Sequence, residues 1–260
     1  MESRAKPRLD VSSKNEWMQP SEWPVLLRDE VHVWRVALCV SELTLVRLEA
    51  SLSESELERS QRFRFARDRR GFIVTRAALR QILADYLGCS PRSIRFSANT
   101  FGKPVLATDT DRPQLEFNVS HSGEFALVAI ANGRCVGVDV EQVNPVIPFE
   151  EIAVHVLSSR ELAVLGGLPA QTRLSAFVAC WTRKEAYAKA CGHGLSVPPD
   201  RIEVTIRPDD RPRLIAAGDD PAEAARWALR NLSPGTGYVA ALVARGHSWR
   251  LSCWDWNTDA

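Results

Sequence analysis

Two β-rich runs around a single dipeptide constrain the fold of this chain more than any other feature. Phe125 to Ala131 (FALVAIA) and Cys135 to Val140 (CVGVDV) flank Asn132-Gly133. Both runs are short, bounded by turn residues and rich in side chains that suit a pleated surface, so each reads as a strand. Asn and Gly both tolerate positive φ, which a tight hairpin turn demands. The expectation is a hairpin near the middle of the chain, preceded by a third strand at Leu115 to Val119.

The flanks supply helices. Ser53 and Glu56 are spaced as a capping box at the start of the charged stretch Ser51 to Glu58. From Arg59 to Leu87, apolar residues recur at three- and four-residue steps, and Gly88 is placed to stop that helix. Ser158 to Leu165 and Thr172 to Cys191 also read as helices, the second stopped by Gly192. Val31 to Val40, Ser93 to Ser97, Ile202 to Ile206, Tyr238 to Ala244 and Trp249 to Trp254 read as strands. A short helix is expected at Pro221 to Arg230, and a turn at Phe101 to Pro104. This order predicts an α+β chain of two similar subdomains. The expected divisions are an extended arm over 1–24, a first subdomain over 25–136 and a second over 137–260.

Composition narrows the function classes. The chain has 260 residues, with 33 basic against 32 acidic side chains, which argues against a generic nucleic-acid coat. No apolar run approaches the ~20 residues of a membrane span, and the first residues carry no apolar signal segment. A cytoplasmic protein acting without membrane or nucleic acid is expected. The six cysteines are scattered, so buried free thiols are expected rather than a disulfide framework or a zinc site.

Four clusters could carry chemistry. In Gly137-Val138-Asp139-Val140-Glu141, the two acids share one face of a strand, ~6.5–7 Å apart. Such a pair suits a divalent ion with oxygen ligands, or is a solvated strand end. On the helix ending at Cys191, Glu185 shares a side with Trp181 and Lys189, either as a functional carboxylate or as a surface ion pair with Lys189. Asn118-Val119-Ser120-His121-Ser122 closes a strand. Neighbours on a strand point to opposite faces, so Ser120 and His121 are no nucleophile–base pair; they read as phosphate contacts or as a plain turn. Arg59 to Arg80 holds eight arginines against one aspartate, suited to a highly charged small ligand or to a solvated helix face. No glycine-rich phosphate loop is present.

Taken in order, Phe101-Gly102-Lys103-Pro104, Phe117 to Ser122, Gly137 to Glu141 and Trp181-Thr182-Arg183-Lys184-Glu185-Ala186, with Lys189 and Gly194-Leu195, resemble the 4′-phosphopantetheinyl transferases of the Sfp type. The likeness runs from about Glu58 to about Val204 and includes Arg62-Phe63-Arg64-Phe65 through Asp68-Arg69-Arg70.

The resemblance implies transfer of the 4′-phosphopantetheine arm of coenzyme A to a serine of an apo acyl or peptidyl carrier protein, releasing adenosine 3′,5′-bisphosphate. It implies Mg2+, or Mn2+, held by Asp139, Glu141 and Glu185, with Glu185 also the base for the carrier serine. Lys189 would meet the pyrophosphate. Lys103, Pro104, Ser120, His121 and Lys184 would meet coenzyme A, as would Arg59, Arg62 and Arg70. Relatives usually carry an arginine for the 3′-phosphate where this chain has Gly71, a departure that Arg59, Arg62 and Arg70 would offset in part. The family implies a monomer of two pseudo-symmetric α/β subdomains, with coenzyme A and the active site in the cleft between them. Polyketide, nonribosomal peptide and fatty-acid carriers all stay open. The rival classes are a non-catalytic carrier-binding adaptor and a magnesium-dependent nucleotide hydrolase.

Overall fold

Ala126 to Ala131 are six successive buried residues of the strand Phe125–Asn132 (β5), so that strand must be covered on both faces. The computed structural model, which describes residues 15–107, 114–192, 197–207 and 210–258, shows how. Ala126, Val128 and Ile130 pack with Ile73, Val74 and Leu83 of a helix at Ala66–Leu87 (α3). Leu127, Ala129 and Ala131 face Val138, Val140 and Leu242 of a second sheet.

The hairpin expected at Asn132-Gly133 does not form. Gly133 does adopt positive φ, but both edges of β5 are already taken, by Glu30–Ala37 (β1) and Leu115–Ser122 (β4). The next strand, Val136–Gln142 (β6), therefore leaves that sheet and pairs with Tyr238–Arg245 (β10), which in turn pairs with Trp227–Leu232 (β9). The free edge of β6 lies along β4. Oxygens of three alternate β4 side chains, Asn118, Ser120 and Ser122, accept from the amides of Val138, Val140 and Gln142 at 2.9, 3.4 and 3.0 Å. Side chains thus replace a backbone ladder where the two sheets meet.

The two halves repeat one order. β1 is followed by α1 (Glu42–Glu49), α2 (Glu54–Gln61), α3, and the short strands β2 (Phe96–Ala98) and β3 (Pro104–Leu106), then β4 and β5. β6 is followed by α4 (Phe149–Val156), α5 (Ser159–Gly166), α6 (Ala170–Cys191), β7 (Ile202–Val204) and β8 (Leu214–Ala217), then β9 and β10. The sheets β1-β5-β4 and β6-β10-β9 correspond. Helices α3 and α6 are each 22 residues long and end on the left-handed glycines Gly88 and Gly192. This is the α+β pair of similar halves expected from the sequence.

Several details differ. The last strand, Arg250–Trp256 (β11), runs parallel to β1 and covers its edge, so it belongs to the first sheet rather than with the second half. Of the expected arm, residues 1–14 lie outside the described residues; Met18 bridges to Trp254. The helix expected over 59–87 is broken, because Arg62 caps α2 and Phe65 is extended before α3 begins. The Pro221–Arg230 helix shrinks to one 3-10 turn at Ala224–Arg226, because pairing with β10 draws Trp227 onward into β9. Helix α4 is an addition to the expected elements. Of the expected buried thiols, Cys180 and Cys253 are buried but Cys39 is exposed.

Candidate active site

Along β6 the alternation of a strand separates two environments. Val136, Val138 and Val140 enter the core between the sheets, which leaves Gly137, Asp139 and Glu141 on the face toward α6. A β-carbon at Gly137 would overlap the carbonyl oxygen of Ala186 and the amide nitrogen of Ala190. Glycine there lets strand and helix backbones approach closely, and that approach places the β6 acids beside Glu185 and Lys189.

Asp139 is 2% exposed. Its Oδ1 accepts from Lys189 Nζ at 2.6 Å and from Ser120 Oγ at 2.8 Å. Its Oδ2 is buried with no hydrogen-bond partner among the described residues. Burial pushes the Asp139 carboxyl up, against the pull of Lys189. Glu141 accepts from Ser122 Oγ at 3.0 Å, and burial followed by the Asp139 charge raises its pKa. The same two causes raise Glu185. Three acids raised by burial, two of them also by the Asp139 charge, and one with an orphaned buried oxygen, are a donor set suited to a hard divalent cation. As the side chains stand, no group of three among the described residues is gathered tightly enough to ligate one ion; the Lys189 ammonium lies beside Asp139.

Glu185 and Lys189 also line a cavity of about 260 Å³ with Phe101 to Pro104, Asn118 and Gly192. The 101–104 turn is held by Asn99, whose Oδ1 accepts from the amides of Phe101 and Lys103, while its Nδ2 donates to Gly192 O at 2.7 Å. Lys103 Nζ donates to Val136 O at 3.2 Å, and burial lowers its pKa. A second cavity, about 180 Å³, shares Pro104 and Asn118 and adds Arg59, Arg76 and His121. Burial, then the Lys189 charge, lowers the His121 pKa.

Not every candidate joins this site. Lys184 is 1% exposed; it pairs with Glu161 at 2.6 Å and donates to Val156 O and Pro199 O, both at 2.8 Å. All three ammonium hydrogens are used in the core, so Lys184 is no contact for coenzyme A. Arg70 is tied to Glu42 and to Val40 O on the α1 side. Arg62 caps α2 and is exposed. Ser120 donates its one hydrogen to Asp139 while accepting from Lys189. Gly71 has room: its β-carbon would meet Leu38 at an ordinary 3.7 Å. Gly194-Leu195 lies outside the described residues.

Two positions escaped the sequence reading. In the sequence Gly137 reads only as part of a pattern and Ser122 only as the end of a strand; the alternation of Asn118, Ser120 and Ser122 is the available signal.

Comparison with known proteins decides the family. Residues 40–133 match the 4′-phosphopantetheinyl transferase N-terminal model, and residues 135–243 match the 4′-phosphopantetheinyl transferase superfamily. The 4′-phosphopantetheinyl transferase HetI of Nostoc sp. (strain PCC 7120) is 36% identical over 93% of this chain and 98% of its own length. The chain belongs to the 4′-phosphopantetheinyl transferase superfamily. A 4′-phosphopantetheinyl transferase of Bacillus subtilis is 28% identical over 63% of this chain and 70% of its own. The L-aminoadipate-semialdehyde dehydrogenase-phosphopantetheinyl transferase of Homo sapiens is 30% identical over 61% and 54%. In this phosphopantetheinyl transferase the two family matches abut at residues 133 and 135, where the chain passes from β5 to β6. The acids of β6 and α6 fall in the second match, and the β4 serines that hold the β6 acids fall in the first.

Proposed function

We propose that this chain transfers the 4′-phosphopantetheine arm of coenzyme A to a serine hydroxyl of an apo carrier protein. Family membership supports the reaction class. The observation that supports this site is the meeting of Asp139, Glu141, Glu185 and Lys189 beside two cavities that share a wall.

The chemistry follows from the side chains. A bond forms between the serine oxygen and the phosphorus bearing the pantetheine arm. The bond from that phosphorus to the bridging pyrophosphate oxygen breaks, and adenosine 3′,5′-bisphosphate leaves. Glu185, whose carboxyl is raised from its ordinary value by burial and then by the Asp139 charge, accepts the serine proton. Lys189 sits where negative charge grows on the phosphate oxygens and stabilises it. Arg59 and His121, in the adjoining cavity, suit the nucleotide phosphates, with Pro104 on the shared wall and Lys103 lining the first cavity. Asp139, Glu141 and Glu185 would hold magnesium or manganese, which supplies positive charge to the pyrophosphate.

The proposed state is a monomer, since both family matches lie within this one chain. No helix among the described residues is long and apolar enough to cross a membrane, and the proposed setting is the cytoplasm. The test is to incubate the protein with coenzyme A, magnesium and an apo carrier, and to quantify adenosine 3′,5′-bisphosphate by chromatography. Release in step with carrier loading supports the transferase. Release without a carrier marks a hydrolase, and no release marks an adaptor.

A further inference from the structure

Each acid of β6 is held by a serine of β4 in the same manner. Ser120 Oγ accepts from the amide of Val140, the residue after Asp139, and donates to Asp139 Oδ1. Ser122 Oγ accepts from the amide of Gln142, the residue after Glu141, at 3.0 Å and donates to Glu141 Oε2 at 3.0 Å. A hydroxyl has one hydrogen and two lone pairs, so one serine can tie a carboxylate and the strand that bears it to the opposite half of the molecule. The turn after Ser122 is anchored as well. Gly123 has φ +58, and a β-carbon there would overlap Tyr238 Oη and Gln142 Oε1; the Tyr238 hydroxyl accepts from the amide of Glu124 at 2.9 Å.

We infer that Ser122 is a positioning residue that sets the Glu141 carboxylate for the divalent ion, so that the seam between the halves tunes the affinity of the metal site. This rests on the proposed role of Asp139, Glu141 and Glu185 as the ion's ligands. Ser122 is the informative position of the two, because Ser120 also touches Lys189 and its loss would disturb two partners. Glutamate has three side-chain torsions, and without the hydroxyl Glu141 must be oriented by the ion itself. Outer-shell partners of metal ligands are commonly worth 10- to 100-fold in affinity.

The test measures Mn2+ binding to the whole protein, without substrates, from the free-ion electron paramagnetic resonance signal. Parent, Ser122→Ala, Ser122→Thr and Asp139→Asn are compared, with a thermal melt of each. The expected result is saturable binding by the parent, weakened about tenfold in Ser122→Ala, restored to within about threefold in Ser122→Thr, and lost in Asp139→Asn. A purely structural role would lower the melting temperature of Ser122→Ala and leave the Mn2+ affinity of the folded fraction unchanged. That outcome, or equal weakening in the alanine and threonine variants, overturns the positioning role while the metal site stands. Absence of saturable binding in the parent, or binding that survives Asp139→Asn, overturns the metal assignment itself and this inference with it.

Discussion

Gly137 lies against Ala186 so closely that any β-carbon at 137 would collide with the Ala186 carbonyl oxygen. The obstructing atoms are backbone, which cannot rotate aside. Gly137→Ala must therefore push β6 away from α6, and overpacking of this kind costs about 1–3 kcal/mol. The same displacement would stretch the 2.6 Å contact between Lys189 and Asp139. The expected outcome is a lower denaturation midpoint together with a fall in transfer rate. Urea melts and steady-state rates on the same preparation check it; a variant matching the parent in both would show that the close approach is dispensable.

Lys184 and Glu185 are sequence neighbours with opposite duties. Lys184→Met keeps apolar bulk but leaves Glu161 as a buried charge without its partner; Glu161 is itself 2% exposed. Breaking a buried pair in this way costs about 3–5 kcal/mol, so the variant should unfold much earlier in urea. Glu185→Gln should melt like the parent and lose turnover by at least ~10²-fold, the scale of one general base. Activity within threefold of the parent would remove Glu185 from the chemistry.

How far these duties could be read in advance depends on the range of the signal. Local signals held: the Ser53–Glu56 capping box and the left-handed glycines Gly88 and Gly192 are all present. The acids of β6 and the helix bearing Glu185 were likewise legible, because strand and helix periods are local. Pairing is not local. Asn132-Gly133 specifies a turn but not the partner of the next strand, and the choice of β10 over β5 rests on edges already occupied by β1 and β4. The return of β11 to the first sheet is a contact across more than two hundred residues. Lys184 misled because it matches the family pattern. On the helix it falls at three- and four-residue steps from Phe177, Cys180 and Tyr187, an apolar stripe that marks a core lysine.

A buried histidine makes stability depend on pH. His32 is 2% exposed, with Tyr86 Oη 2.6 Å from Nδ1 and Glu30 Oε2 3.4 Å from Nε2. Trp34 Nε1 donates to Tyr86 Oη at 3.0 Å, so the Tyr86 hydrogen is available to a neutral Nδ1. Burial lowers the His32 pKa from 6.5, against the pull of Glu30. The unfolded chain thus takes up the proton at higher pH than the folded one. The His32 contribution is full above the unfolded value and is lost as pH falls below it toward the lower folded value. Melting temperatures measured between about pH 7.5 and pH 5.5 should decline in the parent and decline less steeply in His32→Leu. Parallel slopes would show that His32 titrates alike in both states.

The claim at the centre of this account is group transfer at the acids and lysine where the two halves meet. Intact mass spectrometry of an apo carrier protein tests it most directly, after incubation with coenzyme A and the purified protein, in magnesium or in chelator with metal-free reagents. The account predicts that the carrier gains one phosphopantetheine arm in magnesium, stays unmodified in chelator, and is scarcely modified by Glu185→Gln at equal time. A carrier whose mass never changes would contradict the transferase reading, and equal loading in chelator would contradict the metal site.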